Sequence, residues 1–125
     1  MSSDRTLLVA DDDPGLRELV AEWLREAGWT VVEAADGAAA VALGVAAGPA
    51  LALVISDVEM PGLGGREAVA KLRVARPGLP VVLMSGRRWA DGDAAGVLPP
   101  GARFLPKPFR PADLAAAVSA ALGER

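Results

Sequence analysis

Leu51-Ala52-Leu53-Val54-Ile55-Ser56-Asp57 is the stretch that decides the fold: five aliphatic residues, a serine, then an acid. A run this short and apolar, with the turn-forming Pro61-Gly62-Leu63-Gly64-Gly65 just beyond it, reads as a buried strand rather than a helix. Three other runs share its design. Leu7 to Ala10 leads into Asp11-Asp12, Val81 to Met84 into Ser85, and Arg103 to Leu105 closely precedes Lys107. In an open parallel sheet the ligand crevice lies outside the carboxyl ends of the strands, so polar groups ending separate strands can converge on one ligand. Three acids, a hydroxyl and an ammonium then share a site that suits a divalent cation and a phosphoryl group.

Between these runs the chain follows a strand-helix rhythm. Leu16, Leu19, Val20, Trp23, Leu24 and Ala27 recur at helical spacing and predict one helix face, with Asp13 as N-cap, Pro14 in the first turn and Gly28 at the end. Thr30 to Glu33 is the second strand, and Gly37 to about Ala47 an Ala-rich helix stopped by Gly48-Pro49. Ala68, Val69 and Leu72 give a short helix ending before Pro77, Pro80 to Met84 a fourth strand, and Phe104 lies in a fifth. Leu114, Ala117, Val118, Ala121 and Leu122 mark a closing helix. Five such units make an α/β, doubly wound sandwich. The stretch from Arg87 to Gly101 should hold the remaining helix, but its glycines and prolines leave room for a short or irregular one, since proline costs about 3 kcal/mol inside a helix.

Composition bounds the function. At 125 residues and 52% hydrophobic the chain is one domain with a single core. A net charge of -3, with no run of Lys or Arg, gives no footprint for direct nucleic-acid binding. Cysteine is absent, no signal-like N-terminus is present, and no stretch reaches the roughly 18 apolar residues of a membrane span, so a cytoplasmic protein with no membrane partner is expected. Without histidine the chain cannot phosphorylate itself on that residue.

Each site residue also has a bland alternative. Asp11-Asp12-Asp13 alone would be a capped, solvated loop, and Asp13 is read as only that cap; Asp57 alone would be a turn former. Asp11, Asp12 and Asp57 together form an oxygen-only set that suits Mg²⁺. A carboxylate can also be a nucleophile that becomes an aspartyl phosphate, provided positive charge lies nearby. Lys107, held between Pro106 and Pro108, is placed to supply it, and Lys107-Pro108 is a bond where a cis turn is affordable. The Ser85 hydroxyl can donate to a phosphoryl oxygen, and Gly86 keeps the neighbouring amide accessible.

With these residues in view, the chain resembles the receiver domain of two-component response regulators over essentially its whole length, 1–125. LLVADDDPGLRELV is similar to the family's first strand, acid pocket and first helix, LALVISDVEMPGLGG to its phosphoacceptor strand and turn, VVLMSG to its fourth strand, and GARFLPKPF to its fifth strand and lysine loop. The resemblance implies a flavodoxin-like sheet of order 2-1-3-4-5 with helices on both faces. It implies that Asp57 takes a phosphoryl group from the phosphohistidine of a histidine kinase or histidine phosphotransfer protein. Asp12 would ligate Mg²⁺ directly, Asp11 mainly through water, and Asp57 and the Glu59 backbone carbonyl would complete the set. Lys107, Ser85 and Gly86 would bind the phosphoryl group, with Ser85 and Phe104 as the switch pair. The output face would be the fourth helix, fifth strand and fifth helix.

The chain would then be a switch with slow self-dephosphorylation rather than an enzyme. Departures from the family pattern are Asp13 for Glu, Ser85 for Thr, and Arg110 where a Ser or Thr cap is usual, which predicts a weaker start to the last helix. The irregular Arg87 to Gly101 stretch leaves dimerisation in the family's manner open. Glu59 and Arg87 stand where the family modulates water access, and they are expected to act on phosphate lifetime if they pair. A degenerate receiver used only for binding would lack the acceptor or the acid pair, and neither is missing. An aspartate-based phosphohydrolase would use Asp11-x-Asp13 and leave Asp57 unexplained. The sequence fits a stand-alone receiver or a domain of a longer protein such as a hybrid kinase.

Overall fold

The computed structural model describes residues 5–86 and 99–123. Among them, five strands alternate with helices: β1 (Thr6–Ala10), α1 (Pro14–Glu26), β2 (Thr30–Ala34), α2 (Gly37–Ala47), a 3-10 turn (Gly48–Ala50), β3 (Leu51–Asp57), α3 (Gly65–Ala75), β4 (Val81–Ser85), β5 (Arg103–Pro106) and α4 (Pro111–Leu122). The strands form one parallel sheet in the order β2-β1-β3-β4-β5, as expected. The short or irregular helix expected between Arg87 and Gly101 falls mostly outside the described residues, as do Arg87 and the face it would form. No helix among the described residues is long and apolar enough to cross a membrane.

The continuous apolar runs serve two cores at once, because successive strand residues face opposite sides. Leu7, Val9, Leu53, Ile55, Val82 and Met84 pack under α1 and α4 with Val20, Leu24, Leu114 and Val118. Leu8, Ala10, Leu51 and Val54 pack under α2 and α3 with Ala40, Ala68 and Leu72. A third cluster of Val58, Val69, Val81 and Leu83 extends the α3 side. This two-sided burial is what a parallel sheet with helices on both faces requires.

On α1 the expected face needs correcting. Leu19 is 41% exposed and Ala27 is also exposed, while Ala21 is fully buried. The inward seam runs through Leu16, Val20 and Leu24, four residues apart, with Ala21 beside it. Leu19 stands about 100° round the helix from Val20, which turns it toward solvent. The start of α1 is as expected, with Asp13 Oδ1 accepting from the amides of Gly15 and Leu16 at 3.0 and 3.3 Å. The expected weak start of α4 is offset differently. Arg110 supplies no side-chain cap, but Asp113 Oδ2 accepts the Arg110 amide at 2.9 Å, and Pro111 fits the first turn. That backbone hydrogen bond holds the Asp113 carboxyl below its usual range.

Parallel pairing aligns the strand ends. Ala10 is in register with Ser56, Asp57 with Met84, and Ser85 with Pro106. The residues at and just after these positions therefore open on the same edge of the sheet.

Candidate functional site

Asp11 follows the last residue of β1, Asp57 is the last of β3, Ser85 the last of β4, and Lys107 follows β5. The fold brings all four to one place. Lys107 Nζ lies 3.1 Å from Asp11 Oδ2 and 3.2 Å from Asp57 Oδ2. Carboxylate oxygens of Asp11, Asp12 and Asp57 lie within 4.8 Å of one another. Asp11 is fully buried and Asp57 is 7% exposed, whereas Asp12 opens to solvent. The cluster thus has a closed floor and an open mouth.

Main-chain bonds hold these groups in place. The Asp11 amide donates to the Ala34 carbonyl at 3.1 Å, and Asp11 Oδ1 accepts the Asp13 amide at 2.9 Å. Asp57 Oδ1 accepts the Glu59 amide at 3.3 Å. The Lys107 amide donates to the Ser85 carbonyl at 2.8 Å, so the lysine loop and the end of β4 are tied together. The Lys107-Pro108 peptide is cis. Ser85 is fully buried at the end of β4, and Gly86 is exposed with nothing within 4 Å of where a Cβ would stand. Phe104 is half-buried on β5, in register with Leu83. Arg87 lies outside the described residues, so its expected pairing with the exposed Glu59 does too.

Three carboxylates facing one ammonium leave the site short of positive charge. Burial raises the pKa of Asp57 above its ordinary 3.8, and the neighbouring Asp11 raises it further, against smaller opposing effects from Lys107 and the Glu59 amide. For Lys107, burial works toward a lower value, but Asp11 and Asp57 together outweigh it and hold the ammonium above its ordinary 10.5. Lys107 therefore stays charged throughout the neutral range.

A carboxyl whose pKa is higher in the folded than in the unfolded chain stabilises the fold below its unfolded value, and that contribution is lost as pH rises through the folded value. At pH 7 the ionised Asp57 is thus a burden on the metal-free fold. Asp57→Asn keeps the shape and removes the charge. It is expected to raise the thermal midpoint of the metal-free protein at pH 7 by about 2–6 °C, as charge relief at a functional site commonly does. Thermal unfolding across a pH series checks this: the gain should shrink as pH falls toward 3.8, and a gain independent of pH would contradict it.

Two features of the site were not foreseen. Arg17 Nη1 donates to the Asp11 carbonyl at 3.0 Å, and its Nε donates to Glu33 Oε1 at 3.3 Å. Gly65 packs against the end of β3 so closely that a Cβ there would run into the Asp57 carbonyl and stand 2.9 Å from Ser56 Oγ. A charged residue one turn from the buried Val20 and Ala21 was the available signal for Arg17. Nothing in Pro61-Gly62-Leu63-Gly64-Gly65 distinguishes Gly65 from its neighbours.

The chain matches the family model described as the response regulator receiver domain over residues 7–119. It belongs to that family. The receiver domain is 38% identical over 104 residues to the probable transcriptional regulatory protein TcrX of Mycobacterium tuberculosis, covering 83% of this chain and 44% of that protein. It is 34% identical over 120 residues to the sensor kinase CckA of Brucella abortus, covering 94% of this chain and 12% of the kinase. It thus spans less than half the length of these two relatives. Among solved structures it is similar to the response regulator protein TrrA of Thermotoga maritima, in complex with Mg(2+)-BeF, with a TM-score of 0.80, 28% identity and coverage of 94% of this chain and 99% of that one. Receiver domains of two-component systems act as phosphoacceptors rather than as conventional enzymes, and the acid cluster here is consistent with a divalent metal.

Proposed function

We propose that this receiver domain accepts a phosphoryl group on Asp57 in a Mg²⁺-dependent step, taking it from the phosphohistidine of a histidine kinase or histidine phosphotransfer protein. The observation that carries this reading is Lys107 Nζ within 3.2 Å of both Asp11 and Asp57, with Asp12 completing an acid cluster at the mouth. In the transfer, an Asp57 carboxylate oxygen forms the new P–O bond while the P–N bond to the donor imidazole breaks. The leaving imidazole keeps the electron pair and picks up a proton. A largely dissociative transfer of this kind depends on positioning and charge neutralisation more than on covalent assistance from the protein.

The residues fit magnesium by their chemistry, because an oxygen-only set with an open face leaves room for water and phosphate oxygens. Asp11, Asp12, Asp57 and the Glu59 carbonyl would hold the ion, which when bound neutralises charge on the phosphoryl oxygens. The TrrA complex with Mg(2+)-BeF supports that choice of ion. Lys107, already poised on the Asp57 carboxylate, pairs with the transferred group. The Ser85 hydroxyl and the Gly86 amide bind its oxygens, and Phe104 follows the movement of Ser85 as the switch aromatic. Glu59 and Arg87 are the modulators of water access. The kinship with a sensor kinase and with a transcriptional regulator supports a histidine-bearing donor.

Incubating the wild-type chain with acetyl phosphate tests the reading by intact mass. One phosphate should be gained with MgCl₂ and none when EDTA replaces it. Uptake should also fall as pH is lowered toward the range where Asp57 protonates, since a proton and a cation compete for the same oxygens. Absence of uptake with MgCl₂, or equal uptake in EDTA, would overturn it.

A further inference from the structure

Of the three acids at the site, Asp12 has the least support. Among the described residues none donates a hydrogen bond to its carboxylate, so its position follows from its main chain. The peptide that carries it begins at the Asp11 carbonyl. That carbonyl accepts Arg17 Nη1 at 3.0 Å from the first turns of α1, while the Asp11 amide is held by Ala34 of β2. Arg17 is itself oriented. Its Nε reaches Glu33 Oε1 at 3.3 Å, and Glu33 Oε2 accepts Arg25 Nη1 at 3.1 Å, whose Nη2 in turn donates to the Val31 carbonyl at 3.0 Å. The Arg17 side chain is only 17% exposed.

We infer that Arg17 is a positioning residue for the metal pocket: by pinning the Asp11 carbonyl it sets the plane of the Asp11-Asp12 peptide and so aims the Asp12 carboxylate at the cation. This rests on the magnesium reading above and extends it to a group that would touch neither metal nor phosphate. A guanidinium suits the task because its planar fork serves a carbonyl and a carboxylate at once with fixed geometry. Lysine, a compact point charge on a flexible stem with three rotatable donors, holds neither in a fixed geometry. The Glu33 carboxylate keeps the fork from rotating, and Arg25 keeps Glu33 on the β2 edge. Partners that orient the ligands of a metal without touching it typically contribute 10- to 100-fold to affinity.

The test is calorimetric titration of MgCl₂ into the phosphate-free chain, beside the thermal midpoint of the metal-free protein. Arg17→Ala should weaken Mg²⁺ binding about tenfold, Arg17→Lys less than that, and Glu33→Gln by a few-fold. Labelling by acetyl phosphate should then need more MgCl₂ but reach the wild-type rate at saturation. If Arg17→Ala does not fold, the Lys and Gln variants decide the matter by the same titration. A lowered thermal midpoint with unchanged Mg²⁺ affinity in every variant would reduce Arg17 to a tie between α1 and β2 and overturn the inference, leaving the phosphoacceptor reading intact. Failure of the wild-type chain to bind Mg²⁺ would overturn the magnesium reading and the inference with it.

Discussion

Asp57→Asn is expected to take up no phosphoryl group from acetyl phosphate in MgCl₂, a loss of about a thousandfold or more against the wild-type rate, because the variant lacks the proposed covalent nucleophile. The amide has nearly the same shape as the carboxylate but no anionic oxygen to form the P–O bond. Loss of labelling could also come from misfolding, and the Asp57 environment separates the two causes. Burial and Asp11 already work against the ionised carboxylate, so the Asn variant should be more stable than wild type, not less. Intact mass and thermal unfolding on the same sample check this. Labelling that survives in a stable Asn variant would move the acceptor elsewhere, with the neighbouring Asp11 and Asp12 the first residues to examine.

The second large effect is structural. Gly65→Ala is expected to lower stability by about 3 kcal/mol, the upper part of the range for overpacking a well-filled site, which is about 10 °C in thermal midpoint for a chain of this size. The added methyl would meet the Asp57 carbonyl and stand 3.0 Å from its carbon, and both are backbone atoms that cannot swing aside. To make room, α3 must retreat from the end of β3, and the retreat moves the residue that would be phosphorylated. A control lies in the same chain. A Cβ on Gly15 would meet only Asp13 Oδ1, at 3.5 Å, an ordinary contact. Gly15→Ala should therefore be neutral or stabilising by up to about 1 kcal/mol, through helix propensity alone. Denaturant unfolding of both variants tests the contrast, and equal stabilities would show that the packing against Asp57 is not tight.

The strand ends were legible because burial and chemistry conflict there. An acid after Leu51 to Ser56, or a lysine between prolines, is ordinary alone, but both fall beside the other polar groups that end apolar strands, so Asp57 and Lys107 stand out as members of a set without coordinates. The layered fold was legible for a related reason, since only a sheet covered on both faces uses runs as apolar as Leu7 to Ala10 and Val81 to Met84. The orientation of α1 was not. Leu16, Leu19, Val20 and Trp23 fit several overlapping stripes, and the sheet beneath selects Val20, Ala21 and Leu24. Arg17 escaped notice because its key partner is a main-chain carbonyl, and every residue carries one. Gly65 escaped because a glycine that avoids a clash looks in sequence like a glycine that makes a turn. Arg110 misled in the opposite direction, since its own side chain does not cap but Asp113, three residues on, bonds back to it.

Phosphoryl transfer to this receiver domain would leave a covalent bond at one carboxylate. An acyl phosphate is reduced by borohydride to the corresponding alcohol, so treating the acetyl phosphate-labelled wild-type chain with borohydride and sequencing its peptides by mass spectrometry locates the acceptor. Homoserine is expected at position 57, formed with MgCl₂ and absent with EDTA. Reduction at position 11, 12 or 13, or none at all in a chain that has gained a phosphate, would contradict it.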